Sequence, residues 1–295
     1  MKKNRKFAAL IYKAKNCYKV PFMTILNTNV TEKLYKKLSI QVSLNGLSFC
    51  CFDTLNGTIT SFNELHFDPF HKDIKIEELF ANAFIENNEL QDSYDEVLII
   101  HSNNLSTLVP TPLFDENYLG SYLQYNTKVF ETDFFAFDNL HNYDINTVYI
   151  PYVNINNFFI DKFGTFDYKH SNSILVNKLL DHSKNGEEKK MSVHFNQDHF
   201  EIVVIQNKKI LLFNSFDYLT PEDFIYYVLF TAEQLNLNPE NFSLELIGAI
   251  DQDSDYFKIA YKYVRNVSLI DVEDLRWNNY FSEAENRNHF ILFNS

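Results

Sequence analysis

The strongest constraint on this chain is that one pattern of elements occurs in it twice. Residues 38–101 and 190–249 each read as three strands in hairpin succession, a helix and a further strand. Ser39, Ile40, Leu47 and Phe49 fall opposite Ser192, Val193, Phe200 and Ile202 at one constant offset, 192 − 39 = 153. Past one turn the offset becomes 213 − 62 = 151, where Phe62-Asn63-Glu64-Leu65 meets Phe213-Asn214-Ser215-Phe216. Two residues are lost between Asp53-Thr54-Leu55-Asn56-Gly57 and Gln206-Asn207-Lys208-Lys209. That is a turn, where a change of length costs least. A repeated βββαβ unit points to two similar α/β halves.

In the first unit Ile40, Val42 and Leu44 alternate with Ser39, Gln41 and Ser43 over 38–44, the period of a half-buried strand. Asn45-Gly46 predicts a two-residue hairpin turn with both positions at positive φ. Strands over 47–52 and 58–65 follow, separated by a turn at Asn56-Gly57. Ile74, Ile76, Leu79, Phe80 and Phe84 make a helical stripe behind Asp73 as cap. The apolar run 97–100 suits a strand covered on both faces. In the second unit the strands are 191–195, 200–205, 210–213 and 244–247. Thr220-Pro221-Glu222-Asp223 starts the intervening helix with a cap, a proline at the first helical position and acids in the first turn.

Between the units a helix is predicted near 116–124, a strand at 148–150 and a helix at 173–180. The polar, Gly186-containing stretch 183–190 is the expected domain boundary. Beyond the second unit the pattern predicts a helix at 256–264 and a final strand at 289–293. The division is therefore 1–23, a basic extension; 24–186, a first half with an inserted segment; and 187–295, a second half.

The formal net charge of −13 is unevenly spread. Residues 1–19 carry seven Lys and Arg and no acid, which leaves −13 − 7 = −20 on the rest. Such an acidic body repels phosphate backbones and anionic lipid, so neither nucleic acid nor a membrane surface is an expected partner. The basic segment suits an acidic partner, or translation starts at Met23 instead of Met1. Its longest apolar run, 7–12, is too short for a secretory signal. No stretch approaches the roughly 20 apolar residues of a membrane span. Cys17, Cys50 and Cys51 form neither a disulfide framework nor a zinc pattern, as expected of a reduced, cytoplasmic protein. Cys50 and Cys51, adjacent on a strand, should pack into the core on opposite faces.

Residues 38–50 (LSIQVSLNGLSFC) and 214–230 (NSFDYLTPEDFIYYVLF) resemble a bacterial family of unknown function assigned an actin-like ATPase fold, and the resemblance extends over about 24–295. It implies two ribonuclease-H-like βββαβ subdomains with flanking helices and a nucleotide cleft between them, and it brings no known activity. ATPases of this fold place an Asp before a small-residue turn that cradles phosphate, the carboxylate holding Mg²⁺. Here the corresponding turn is Ser43-Leu44-Asn45-Gly46-Leu47-Ser48, without a carboxylate. The second hairpin offers Asn196-Gln197-Asp198-His199, with an acid and no glycine. Gly248-Ala249 stands where adenine and ribose would lie, followed by Asp251, Asp253 and Asp255. The candidate nucleotide-binding residues are thus Ser43, Asn45, Gly46, Ser48, Asn196, Asp198 and Gly248, with no catalytic or metal-binding residue predicted.

Other motifs are absent. An EF-hand beginning at Asp251 would need Gly and Glu where Tyr256 and Lys262 stand, so the three acids read as charge-matching for the next helix. The closest two of six glycines are 57 − 46 = 11 apart, so no phosphate-binding or dinucleotide loop can be written. His194 and His199 read as ordinary strand or turn residues. The expectation is a non-catalytic binding or scaffold protein with a degenerate nucleotide cleft, no cofactor, a protein partner and room for homo-oligomers. The alternative is a divergent ATPase or phosphotransferase using ATP and magnesium, held by Asp198 or Asp251.

Overall fold

Two five-stranded sheets carry the repeated unit. The computed structural model describes residues 33–67, 74–183, 186–272 and 277–295. The basic segment, Cys17, Met23, Asp73, and Lys184 and Asn185 of the predicted boundary lie outside the described residues. In the first half β1 (Lys36–Ser43), β2 (Gly46–Asp53) and β3 (Thr58–His66) form successive hairpins, α1 (Ile76–Glu86) crosses over, and β4 (Glu96–His101) returns parallel to β1. An insertion follows, in which β5 (Ser106–Pro110), α2 (Leu119–Leu123), β6 (Ala136–Leu140) and β7 (Ile145–Tyr149) build a separate three-stranded sheet with a short helix. Then come α3 (Val153–Phe163), β8 (Asp167–His170) and α4 (Ser171–His182).

The second half repeats the plan without the insertion. It runs β9 (Lys190–Phe195), β10 (His199–Gln206), β11 (Lys209–Asp217), α5 (Pro221–Gln234), β12 (Ser243–Gly248), α6 (Asp255–Tyr263), β13 (Asn266–Leu269), α7 (Glu283–Asn288) and α8 (Phe290–Phe293). The strand orders are β3-β2-β1-β4-β8 and β11-β10-β9-β12-β13, the ribonuclease-H-like order in both cases.

The repeat extends to irregularities. The ladder of β2 with β3 slips between Cys51 and Phe52, and that of β10 with β11 slips between Val204 and Ile205, at the same 153-residue offset. A bulge retained in both halves bends the hairpin alike in each. The two-residue difference has its cause in the turns. Four residues join β2 to β3, whereas Asn207 and Lys208 alone join β10 to β11, at φ 51° and 57°. Two residues at positive φ match the twist of a tight hairpin.

Two sequence expectations need correction. Asn45-Gly46 is not the first turn: Ser43 pairs with Gly46, so the turn is Leu44-Asn45, and none of these has positive φ. Gly46 opens β2, where a Cβ would lie 2.3 Å from the Leu65 carbonyl oxygen, so glycine is required by the approach of β3. The predicted final strand at 289–293 is helical. Ser282 and Glu285 form a capping box that starts α7, and α8 continues it with Phe290, Ile291, Leu292 and Phe293 all buried. An apolar run covered on every side has no period by which to tell strand from helix.

One core spans both halves. Cys50, Phe52, Leu98 and Ile100 of the first sheet meet Val203, Ile205 and Ile247 of the second through α4 and α8. The outer faces have separate cores, with Cys51 and Ile99 in one and Val193 and Ile202 in the other. Cys50 and Cys51 thus sit on opposite faces of β2. Residues 277–295 bind back onto the first half: Ile59 N–H donates to the Asn278 carbonyl, and Ser295 Oγ lies 2.7 Å from Ser39 Oγ. Among the described residues no helix is long and apolar enough to cross a membrane.

Candidate functional site

The halves leave a cleft of about 520 Å³ between the β1–β2 turn and the β9–β10 turn. Its floor is the loop after β4, Ser102 to Leu105, and the start of the loop after β12, Ala249 and Ile250. These are the carboxyl ends of parallel strands, where helices and loops diverge and α/β sheets leave room for ligands. Asn104 Nδ2 donates to Asp217 Oδ1 at 3.1 Å and closes one edge from half to half.

The second-half wall is built on a buried carboxylate. Glu201 is 0% exposed. It stands opposite His194 in the β9·β10 ladder and two residues from His199, so all three share a face. His194 Nδ1 lies 3.0 Å from Glu201 Oε2, His199 Nε2 lies 3.2 Å from Oε1, and Asn196 Nδ2 donates to both oxygens at 2.9 and 3.1 Å. His199 Nδ1 lies 2.6 Å from Asp198 Oδ1. With acceptors at both ring nitrogens, His199 is an imidazolium. Burial alone would push its pKa down, yet Glu201 and Asp198 outweigh burial and raise it to about 10. Burial would likewise raise Glu201, but His199 and His194 hold it well below the usual carboxylate range. The hydrogen bond from His199 lowers Asp198, whose side chain is 73% exposed at the cleft mouth.

The first-half wall is neutral at its centre, with Glu64 of β3 at its mouth. Gln41 and Ser48 stand opposite each other in the β1·β2 ladder and line the cleft. The 153-residue offset carries them to His194 and Glu201, so equivalent positions bear an amide and a hydroxyl on one side and a hydrogen-bonded histidine and carboxylate on the other. Behind them His101 and His170 are both wholly buried. Burial lowers them to about 4 and about 3, so both are neutral. Each uses Nδ1 to accept a backbone N–H, from Tyr152 and Asn172, and Nε2–H to donate to an amide oxygen, of Asn156 and Asn103. They brace the Ser102–Leu105 loop.

Ser43, Asn45, Gly46, Ser48, Asn196 and Asp198 all line the cleft, whereas Gly248 is not on its surface and its neighbour Ala249 is. Magnesium–ATP does not fit this donor set. In the first turn Asn45 N–H already donates to Ser43 Oγ, and Ser43 Oγ–H to the Gly46 carbonyl. In the second, Asn196 N–H is bound to the His199 carbonyl. The space a Cβ would fill at Gly46 and Gly248 is taken by the Leu65 and Phe195 carbonyl oxygens, at 2.3 and 2.6 Å, not left for a phosphate. No Lys or Arg lines the cleft among the described residues, and none of their His, Cys, Asp and Glu side chains group in threes able to hold a metal ion. Asp251 instead holds the turn before α6, accepting from Asp253 N–H, while Ser254 caps that helix and Asp255 lies in its first turn. Sequence reasoning passed over Glu201. The available signal was a lone acid inside the apolar run 200–205, with a histidine at its cross-strand position.

Comparison with known proteins adds the following. No curated protein matches the chain significantly in sequence. A Bacteroides thetaiotaomicron protein of actin-like ATPase fold and unknown function matches in structure with a TM-score of 0.74 at 24% identity, over 82% of this chain and 93% of that one. PilM–PilN, a type IV pilus biogenesis complex, matches with a TM-score of 0.52 at 11% identity, over 87% and 96%. The fold is therefore the actin-like ATPase fold that the repeated sheets describe. A family model described as "Protein of unknown function (DUF3822)" covers residues 26–267, and the chain belongs to that family.

Proposed function

We propose that this protein acts by binding and not by turning over nucleotide. The observation that carries the reading is the cleft wall. It presents carboxylates and neutral amides, and among the described residues no Lys or Arg, where a triphosphate needs cations. The His199 imidazolium is already held by Glu201 and Asp198, and the Asn45 and Asn196 N–H groups of the turns are hydrogen-bonded within the chain. Each half keeps its sheet and bulge, so the scaffold is preserved while the phosphate chemistry is not. A protein of the same fold occurs in the PilM–PilN complex, which supports a role in protein assembly. The partner is then a protein contacted by the scaffold.

The test is a thermal-shift titration with Mg·ATP to millimolar concentration. A ligand that binds only the folded state adds about 2.7 kcal/mol at a hundredfold excess over its Kd, a clear rise in midpoint. The expected result is no saturable rise. ATP hydrolysis that disappears in Asp198→Ala would overturn the reading in favour of a divergent ATPase.

A further inference from the structure

The cleft wall of the first half contains polar groups without partners. Ser48 is 8% exposed and lines the cavity, yet among the described residues its hydroxyl makes no hydrogen bond. Gln41 beside it lines the same cavity, and its amide is likewise unbonded. Polar groups that face a cavity without a partner in the protein are free to bond to whatever occupies it. On the opposite wall His194, His199 and Asn196 are matched by Glu201, whereas Gln41 and Ser48 have no such partner.

The chemistry of the missing group follows from what surrounds them. The exposed acceptors at the mouth are the Asp198 and Glu64 carboxylates, their side chains 73% and 37% exposed. Tyr218 and Tyr256 meet edge to face at 5.5 Å and present ring surface to the same cavity. Carboxylate acceptors, an amide, a hydroxyl and aromatic faces, with no Lys or Arg lining the cleft among the described residues, match the hydroxyls and C–H faces of a ring sugar. The His199 imidazolium is held between the Asp198 and Glu201 carboxylates, and with Glu64 the carboxylates outnumber it, so the lining repels a phosphate. The volume, about 520 Å³, falls within the roughly 300–1,000 Å³ of small-molecule sites. We infer that the cleft binds an uncharged, hydroxyl-bearing ring ligand, a free sugar or the ribose of a nucleoside, with Gln41 and Ser48 as its first-half contacts. This rests on the reading that the cleft has lost its polyphosphate chemistry.

The experiment is isothermal titration of the full chain with D-glucose, D-galactose, D-ribose and adenosine, and with glucose 6-phosphate and Mg·ATP as charged counterparts. At least one uncharged probe should bind saturably, and its phosphorylated counterpart about tenfold more weakly or not at all. A hexose response would identify a sugar site, an adenosine response a nucleoside site. Ser48→Ala and Gln41→Ala should each weaken the uncharged probe about fivefold to tenfold while leaving the unliganded melting temperature nearly unchanged. Silence from all four uncharged probes would overturn this inference and leave the binding-protein reading standing. Tighter binding of Mg·ATP than of adenosine would overturn both. Unchanged affinity in both variants would place the ligand elsewhere and overturn the assignment.

Discussion

Glu201 shows how much one residue can organise. A carboxylate with no solvent exposure is stable only when fully paired, and here two histidines and Asn196 supply the partners. Glu201→Ala leaves His199 charged and buried beside Asp198 alone, so it should cost about 3–5 kcal/mol of unfolding free energy, measured by urea titration. The pair also has a pH signature. His199 is raised from 6.5 to about 10, so its contribution is fully present below pH 6.5 and is lost as pH rises toward 10. Glu201 is depressed, so its contribution is present above the ordinary Glu value of 4.5 and fades as pH falls below it. Stability from the pair should therefore be greatest between those limits and decline on the alkaline side. Glu201→Gln should flatten that alkaline decline, seen in urea titrations from about pH 6 to 9.5. In sequence the acid was visible as an oddity in an apolar strand. Its partners were not, because they come from cross-strand register and a turn.

Among the elements, hairpins and helix starts followed local chemistry. Thr220 and Asp223 form the capping box of α5, with Pro221 in its first turn, and these signals act within four residues. Asn45-Gly46 illustrates the opposite case, since a strong local turn signal is overridden by pairing with a third strand. Gly46→Ala would place a Cβ 2.3 Å from the Leu65 carbonyl oxygen, and backbone has no rotamer by which to yield. The substitution should cost about 2 kcal/mol, read as a lower urea midpoint at unchanged slope. If Gly46 served only a turn, the cost would be a few tenths. The same carbonyl explains why the glycine is no evidence of a phosphate.

At the scale of the molecule, the shared core between the sheets makes the two halves one cooperative body. The chain's single tryptophan, Trp277, sits at that joint, 4.7 Å from Phe52 with its Nε1–H donating to the Ser295 carbonyl. Residues 277 and 278 reach the first half from the end of the second, through Asn278 and the β3 edge. Unfolding followed by Trp277 fluorescence should coincide with unfolding followed by far-ultraviolet circular dichroism, in one transition. Two separated transitions would mean that each sheet stands by itself.

What the amino-acid sequence alone determined was the repeat, and with it the sheet order. Strand alternation, turn residues and helix caps act over a few residues, and two copies of one pattern leave few ways to arrange them. The tertiary structure alone decided the character of the cleft. Whether Gly46 faces a phosphate or Leu65, whether Glu201 is paired, and whether Ser48 is left unmatched depend on what lies across the ladder or across the cleft. Contacts between residues far apart in sequence carry no local period, and only the folded chain brings them together.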